Sequence, residues 1–550
     1  MGPRMIWRAL RNFFWTVRQN PVWAIGALAF SPIALVKHLF GVFCAFAIVG
    51  LVLSLSAKLA LWYFAVPKDT LIYNGAYLAV GAATILVTLR AFVAPLVLRY
   101  GYADGGETHG SARFATPQET RALARSDGLL IGRDWKNGKL LRYAGPAHLL
   151  TIAPTRTGKG VGTIIPNLID YPGAIVCIDP KGENARVTAR QRARFGPVHV
   201  LDPFGVSGHP TAAFNPLDRI DPHGLDAADD CMTLADALVH DNTQAEAESH
   251  WNEEAKALIA GLILHIVTVE PPATRTLDTL RAHLTLDPPA LAALLAEMRV
   301  QGGLVARAAN RQLGKAEREA AGVLSTAQRH THFLDSPRMT AVLGRSDFAF
   351  ADLKAGTATV FLVLPPDRIG AYARWLRLMV AQGLTDLARA GVAPARPVLF
   401  LLDEFAALGQ LEPVERAMGL MAGYGVQLWP ILQDIHQLRA LYGRRAGTFL
   451  SNAAVLQIFG VNDHDSAKLV SDLLGQETLV FETMSRAIDA QETGLSYGQQ
   501  HVGRPLLTPD EVRTLPASRQ LLFLAGQRPI VADKLAYFAD REFAGRFDRA

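Results

Sequence analysis

TIAPTRTGKGVGTIIPNLIDYPGAIVCIDPKGEN occupies residues 151–184, and its centre, TRTGKG, comes close to the glycine–lysine signature of a phosphate-binding loop. Two positions depart from the usual GxxxxGK[ST] pattern. Ala153 stands where the first glycine belongs, and Gly160 replaces the hydroxyl residue after the lysine. The flanks supply the required context. HLLTIA (148–153) is an apolar run of strand length, APTRTGKG follows as a loop, and VGTIIPNLI continues as a helix. That order places backbone N–H groups at a helix N-terminus, where phosphate is held. Thr155, Arg156, Thr157, Gly158, Lys159, Gly160 and Val161 are then the candidate nucleotide-binding residues. Lys159 is the point charge for β- and γ-phosphates, and Gly158 gives the turn backbone freedom. Gly160 has no hydroxyl for Mg2+, so water or Thr163 is the candidate substitute.

Two further strand ends agree with this loop. VLFLLDEF (398–405) is five apolar residues followed by Asp403 and Glu404. An aspartate ending a buried strand can hold Mg2+, directly or through water, and the adjacent glutamate can act as general base on the attacking water. VQLWPILQD (426–434) is another apolar strand, ending in Gln433. An amide there can sense the γ-phosphate or position water. The candidate catalytic set is Lys159, Glu404 and Gln433, with Asp403 as metal ligand and ATP with Mg2+ as cofactors.

Seven apolar runs alternate with helical stretches: 148–153, 174–179, 198–202, 358–364, 398–405, 426–432 and 454–460. Buried apolar runs between helices predict an α/β fold with a parallel sheet covered on both faces. Residues 225–345 are rich in Ala, Leu, Arg and Glu and read as an all-alpha insertion between 101–224 and 346–550. The insertion accounts for the long sequence distance between Lys159 and Asp403.

The N-terminal hundred residues have a different character. The segments 39–57 and 71–89 carry no charge, and each is close to the ~20 residues a membrane-crossing helix needs. They predict a transmembrane hairpin over 39–100, with spans at about 39–62 and 71–93. Arg4, Arg8, Arg11 and Arg18 precede it and Arg90 and Arg99 end it, while Lys68 lies between the spans. That bias puts both termini in the cytoplasm. The apolar stretch 21–36 contains Pro32 and is too short to span. It is expected to lie on the lipid surface, within a cytoplasmic or membrane-surface segment 1–38. Of 550 residues, 50% are hydrophobic and the net charge is only +5, so the chain is not a basic nucleic-acid coat. Cys44, Cys177 and Cys231 are scattered, which argues against a disulfide framework or a structural zinc.

The stretch APTRTGKGVGTIIPNLIDYPGAIVCIDPKGEN resembles the signature of type IV secretion coupling proteins, the TraG-type conjugative DNA-transfer ATPases. HGSARFA (109–115), FNPLD (214–218), LLDEFAALGQL (401–411), AGYGVQLWPILQDIHQL (422–438) and FLSNAAVLQIFGVNDHDSAKLVSDLLG (449–475) follow that family's motifs in order. The resemblance runs from about residue 39 to about 540 and includes a GKG form of the loop. It implies a RecA-like P-loop ATPase domain with an all-alpha insertion, anchored in the bacterial inner membrane as a homo-hexamer. Its implied partners are single-stranded DNA carrying a relaxase, the relaxosome, type IV secretion channel proteins and membrane lipid. A receptor for protein effectors without DNA cargo is the alternative. Family motors of this kind use an arginine from a neighbouring subunit, for which Arg416, Arg439, Arg444 and Arg445 are all candidates. Asn452 and Asp463 lie in family motifs without an evident chemistry. Arg275, Arg281, Arg307, Arg311, Lys315, Arg318 and Arg329 are the basic residues of the insertion that could track a phosphate backbone. His330 and His332 lack companion ligands at metal spacing.

Overall fold

A computed structural model describes residues 3–19, 21–100, 109–239, 246–486 and 495–549. The chain divides into two compact units, Met1–Ser111 with Gln476–Arg504, and Ala112–Gly475 with Pro505–Ala550.

The first unit holds three helices, α1 (Pro3–Gln19), α2 (Pro21–Tyr63) and α3 (Leu71–Tyr100). Val36–Tyr63 and Leu71–Val97 are long and apolar enough to cross a membrane. Phe40, Leu51, Leu55, Leu59, Leu78 and Ile85 are turned outward from the unit. An apolar surface that extensive suits lipid. Two threonines inside the second span satisfy their hydroxyls locally: Thr84 Oγ1 donates to the Val80 carbonyl at 2.8 Å and Thr88 Oγ1 to the Thr84 carbonyl at 2.7 Å. The connecting turn is closed by Thr70, whose hydroxyl donates to the Pro67 carbonyl at 2.7 Å. One expectation is corrected. Residues 21–36 do not form a separate element, because α2 runs unbroken from Pro21 to Tyr63 through Pro32. The segment is apolar apart from Ser31, and apolar membrane helices tolerate an internal proline.

The same unit contains a two-stranded sheet from 476–486 and 495–505. The chain after α3 joins it: Ser111 bridges Glu477, and the His109 N–H donates to Thr478 Oγ1 at 2.9 Å. Residues 476–504, expected within the nucleotide-binding domain, thus group with the first unit. The polar, glycine-rich stretch 101–119 reads from its sequence as a linker; its first part, 101–108, lies outside the described residues.

The second unit is built on an eleven-stranded sheet. In chain order its strands are β1 (Leu129–Asp134), β2 (Leu140–Tyr143), β3 (His148–Ile152), β4 (Ile175–Asp179), β5 (Val198–Leu201), β6 (Thr359–Val363), β7 (Val398–Leu402), β8 (Val426–Leu432), β9 (Ala453–Ile458), β10 (Arg519–Leu524) and β11 (Ile530–Asp533). The spatial order is β2-β1-β11-β10-β9-β3-β8-β7-β4-β6-β5. From β9 to β5 every pairing is parallel, and these are the strands predicted from the apolar runs. The four strands from β2 to β10 add an antiparallel flank. The sheet is therefore mixed rather than wholly parallel.

Alternation along the parallel strands feeds two apolar layers. Leu150, Val176, Phe400 and Leu428 join one cluster, while Leu149, Cys177, Leu401 and Trp429 join the other. Both faces are dry, which is why these strands read as continuous apolar runs. The described residues between 227 and 343 form helices joined by short loops, without a strand. Their core residues, among them Ile263, Met298 and Val323, belong to the same cluster as Leu150 and Phe400. The helical region is thus continuous with one face of the sheet.

Candidate active site

Four parallel strand ends meet on one edge of the sheet. Ile152 of β3 is level with Leu432 of β8, Leu402 of β7 with Pro430 of β8, and Ile178 of β4 with Leu402. The residues that follow these strands therefore rise together, where ligands of open α/β sheets bind. β8 lies between β3 and β7, so Gln433 emerges between the lysine loop and the acidic pair.

The loop begins as Ala153 N–H donates to the Leu432 carbonyl at 2.8 Å. Thr157 Oγ1 donates back to the Pro154 carbonyl at 2.6 Å and closes the turn. Arg156 (φ 65°) and Gly158 (φ 94°) both take left-handed backbone. Glycine does so without a Cβ penalty; for Arg156 this is a strained conformation of the kind that clusters at functional sites. The chain then enters one wide π-helical turn, Gly160–Ile164, and continues as the α-helix Ile165–Asp170.

A cavity of about 630 Å³ opens above this edge. Six of the seven predicted loop residues line it, together with Asp403, Glu404 and Gln433. Thr157 does not, since its hydroxyl is spent on Pro154 and its carbonyl accepts from Lys534. Thr163 is also absent from the lining. It is buried, and its hydroxyl donates to Gln457 Oε1 at 3.2 Å, so it does not replace the hydroxyl missing at Gly160.

Lys159 Nζ lies 2.5 Å from Glu404 Oε1 and 3.2 Å from Asp403 Oδ1. Gln433 Nε2 donates to the other Glu404 oxygen at 3.0 Å. Burial by itself raises the Glu404 pKa, but Lys159 and the Gln433 amide outweigh it and hold the carboxyl below its ordinary value. Asp403 moves the other way: burial raises its pKa more than Lys159 lowers it. Lys159 loses charge stability by burial and regains more from the two carboxylates, so its pKa is raised. Glu404 sits at φ 51° and its N–H donates to Asp403 Oδ1 at 3.0 Å. This turn aims the two carboxylates differently: Asp403 inward with its side chain 14% exposed, Glu404 toward the cavity at 28%. A buried, poorly solvated carboxylate beside a phosphate loop fits a dication, which would restore the missing solvation.

Three cavity or loop neighbours escaped prediction. Asp179 ends β4 beside Asp403, lines the cavity and is pushed up to about 6 by burial. Its signal was present, an aspartate after an apolar run, as at Asp403. Lys181 lines the same wall. Lys534 reaches the loop from the far end of the chain.

Other candidates are placed elsewhere. Among the arginine candidates, Arg445 pairs with Glu415 at 3.2 Å, Arg416 lies 3.9 Å from Glu412, and Arg439 lies 3.9 Å from Asp465. Arg444 is exposed and makes no ion pair among the described residues. Asp463 caps the helix His464–Leu474 by accepting from Ser466 N–H. In the helical region Arg281 is bound by Asp335, Arg311 by Glu254, and Lys315 by Glu254 and Glu319, while Arg275 donates to the Glu270 carbonyl. Arg307, Arg318 and Arg329 stay exposed. His330 is buried against Asn252, and no metal-binding group of His, Cys, Asp and Glu exists among the described residues.

A lysine loop, an acidic strand end and an intervening amide strand on one sheet edge define the RecA-like class of nucleotide-binding folds. The family model described as type IV secretory system conjugative DNA transfer matches residues 114–549, and the chain belongs to that family. Conjugal transfer protein TraG of Escherichia coli is 31% identical over 501 residues, covering 80% of this chain and 78% of the relative. Protein VirD4 of Rhizobium radiobacter is 27% identical over 485 residues, 80% of this chain and 65% of its own. The fold matches the bacterial conjugative coupling protein TrwB in its unbound form with a TM-score of 0.62 at 17% identity, over 78% of this chain and 95% of that one. TrwB in complex with ADP and Mg2+ gives 0.60 at 18% identity, over 80% and 97%.

Proposed function

We propose that this protein is a membrane-anchored coupling ATPase that hydrolyses ATP to drive relaxase-bound single-stranded DNA into a type IV secretion channel. The observation that carries the reading is the four-residue contact of Lys159, Asp403, Glu404 and Gln433 at the mouth of the phosphate loop. Relatives named for conjugal transfer and a structural neighbour bound to ADP and Mg2+ support it.

The chain's own groups have separable tasks. Lys159 is neutralised by two carboxylates and is also the cation for phosphate, so nucleotide binding exchanges its partners. As phosphate takes the ammonium, Glu404 is released and remains anionic at neutral pH. It then accepts the proton of the attacking water. Gln433 holds one Glu404 oxygen, which fixes the base and links it to β8. Asp403 would hold Mg2+, whose charge offsets that of the phosphates. The α2–α3 pair is read as the inner-membrane anchor with both termini cytoplasmic, and the active assembly as a homo-hexamer.

Lys159→Ala tests the reading in cells. The variant should insert in the membrane at wild-type level and lose conjugative transfer by several orders of magnitude. Normal transfer by a correctly inserted Lys159→Ala protein would overturn the proposal.

A further inference from the structure

We infer that Lys534 is a positioning residue of the phosphate loop, which fixes the Thr157 carbonyl and adds a further positive charge beside the loop. The inference rests on the nucleotide-site reading above and extends it to the C-terminal segment.

Lys534 follows β11, and its backbone N–H donates to the Ser518 carbonyl at 2.8 Å, which anchors its stem. Its Nζ donates to the Thr157 carbonyl at 2.6 Å, across 377 positions of sequence. The ammonium also lies 5.1 Å over the buried Phe459 ring and 3.9 Å from where a Cβ on Gly158 would stand. Thr157 is held from a second side by Gly460. A Cβ there would come within 2.3 Å of Thr157 Cγ2, so only glycine fits. The residue before Gly158 and Lys159 is thus clasped by the ends of β9 and β11.

The charges around the loop differ. The ammonium of Lys159 is matched by Asp403 and Glu404. Lys534 is half-buried and makes no ion pair with any described carboxylate, and burial lowers its pKa. A cation that has given up water for one carbonyl and a ring face gains from an anion nearby. The phosphate loop beside it is where that anion binds. Lys534 touches no reacting atom in this arrangement and so acts through Thr157 and through its field.

The test compares Lys534→Met and Lys534→Arg in the detergent-solubilised full chain. Binding of a fluorescent, non-hydrolysable ATP analogue is titrated, and KM and kcat for ATP are measured. Loss of a charged hydrogen bond predicts an affinity about tenfold weaker for Lys534→Met. KM should rise by a similar factor, with kcat changed less than about threefold. Lys534→Arg keeps a cationic donor and should bind within about threefold of wild type. Wild-type affinity in Lys534→Met would overturn the inference. So would equal weakening in both variants, or a fall in kcat with KM unchanged. If the wild-type chain bound no analogue, the nucleotide-site reading itself would fall.

Discussion

The two parts of the eleven-stranded sheet differ in what their strands bury. In the parallel part, β4, β6, β7 and β8 are buried at every position, with Trp429, Phe361 and Phe400 fully enclosed. In the antiparallel flank every strand has partly exposed positions. Gln520 and Arg142 are buried, and Arg519 pairs with Asp533 at 3.0 Å. The parallel part places four loops on one edge and carries the carboxylates and amides of the candidate site. The flank supplies none of the cavity's carboxylates or amides, yet its last strand delivers the lysine that clasps the loop. One part presents reactive groups, and the other holds their frame.

That division can be broken from either side. Trp429→Ala strikes the parallel core and also leaves Thr151 without the indole N–H that donates to it at 2.8 Å. It should lose about 3–5 kcal/mol of stability by urea unfolding followed by circular dichroism. A loss below about 1 kcal/mol would mean that the parallel part is not the dominant core.

A second experiment uses the buried acid of the parallel edge. Asp179 holds its proton up to about 6 in the folded protein because burial disfavours its charge. The folded state therefore binds more protons than the unfolded chain as pH falls below about 6. The penalty of burying the anion is fully present above that pH and fades toward pH 4. Asp179→Asn removes the titration, so its stability relative to wild type should drop by roughly 2–3 kcal/mol from about pH 7 to about pH 4. Parallel thermal melts of the two proteins check this; a difference independent of pH would contradict it.

The seam between the parts gives a smaller effect. Gln457 on β9 accepts from Thr151 at 2.7 Å on the parallel side and donates to Gln520 at 2.7 Å on the flank side. Gln457→Leu removes the partner of buried Thr151, Thr163 and Gln520, which should cost about 1–3 kcal/mol. Urea unfolding measures it, and a neutral result would show that the two parts do not depend on this amide.

The same contrast explains what was legible beforehand. The seven parallel strands were readable because burial on both faces favours mostly apolar runs, as in VLFLL and IVCI. The flank strands were not. LLIGRD contains Gly132 beside a register shift and ends in two charges, LLRY is four residues long, and RQLLFL opens with two polar residues. Lys159, Asp403, Glu404 and Gln433 were legible because strand-end chemistry is local in sequence. Asp179 carried the same local mark and was overlooked. Lys534 left no local mark, since its role depends on a contact made only by the fold. The basic residues of 225–345 were legible as charges, but whether each was already paired depended on tertiary structure, as with Arg281 and Asp335.

The central claim is that Lys159, Asp403, Glu404 and Gln433 form a working ATPase site coupled to DNA. It is tested most directly by ATP turnover of the full-length protein in detergent, comparing wild type with Glu404→Gln, with and without single-stranded DNA. The account predicts DNA-stimulated turnover in the wild type. In Glu404→Gln it predicts a loss of about 10²–10⁴-fold with nucleotide binding retained. Equal turnover in both proteins, or wild-type turnover indifferent to DNA, would contradict it.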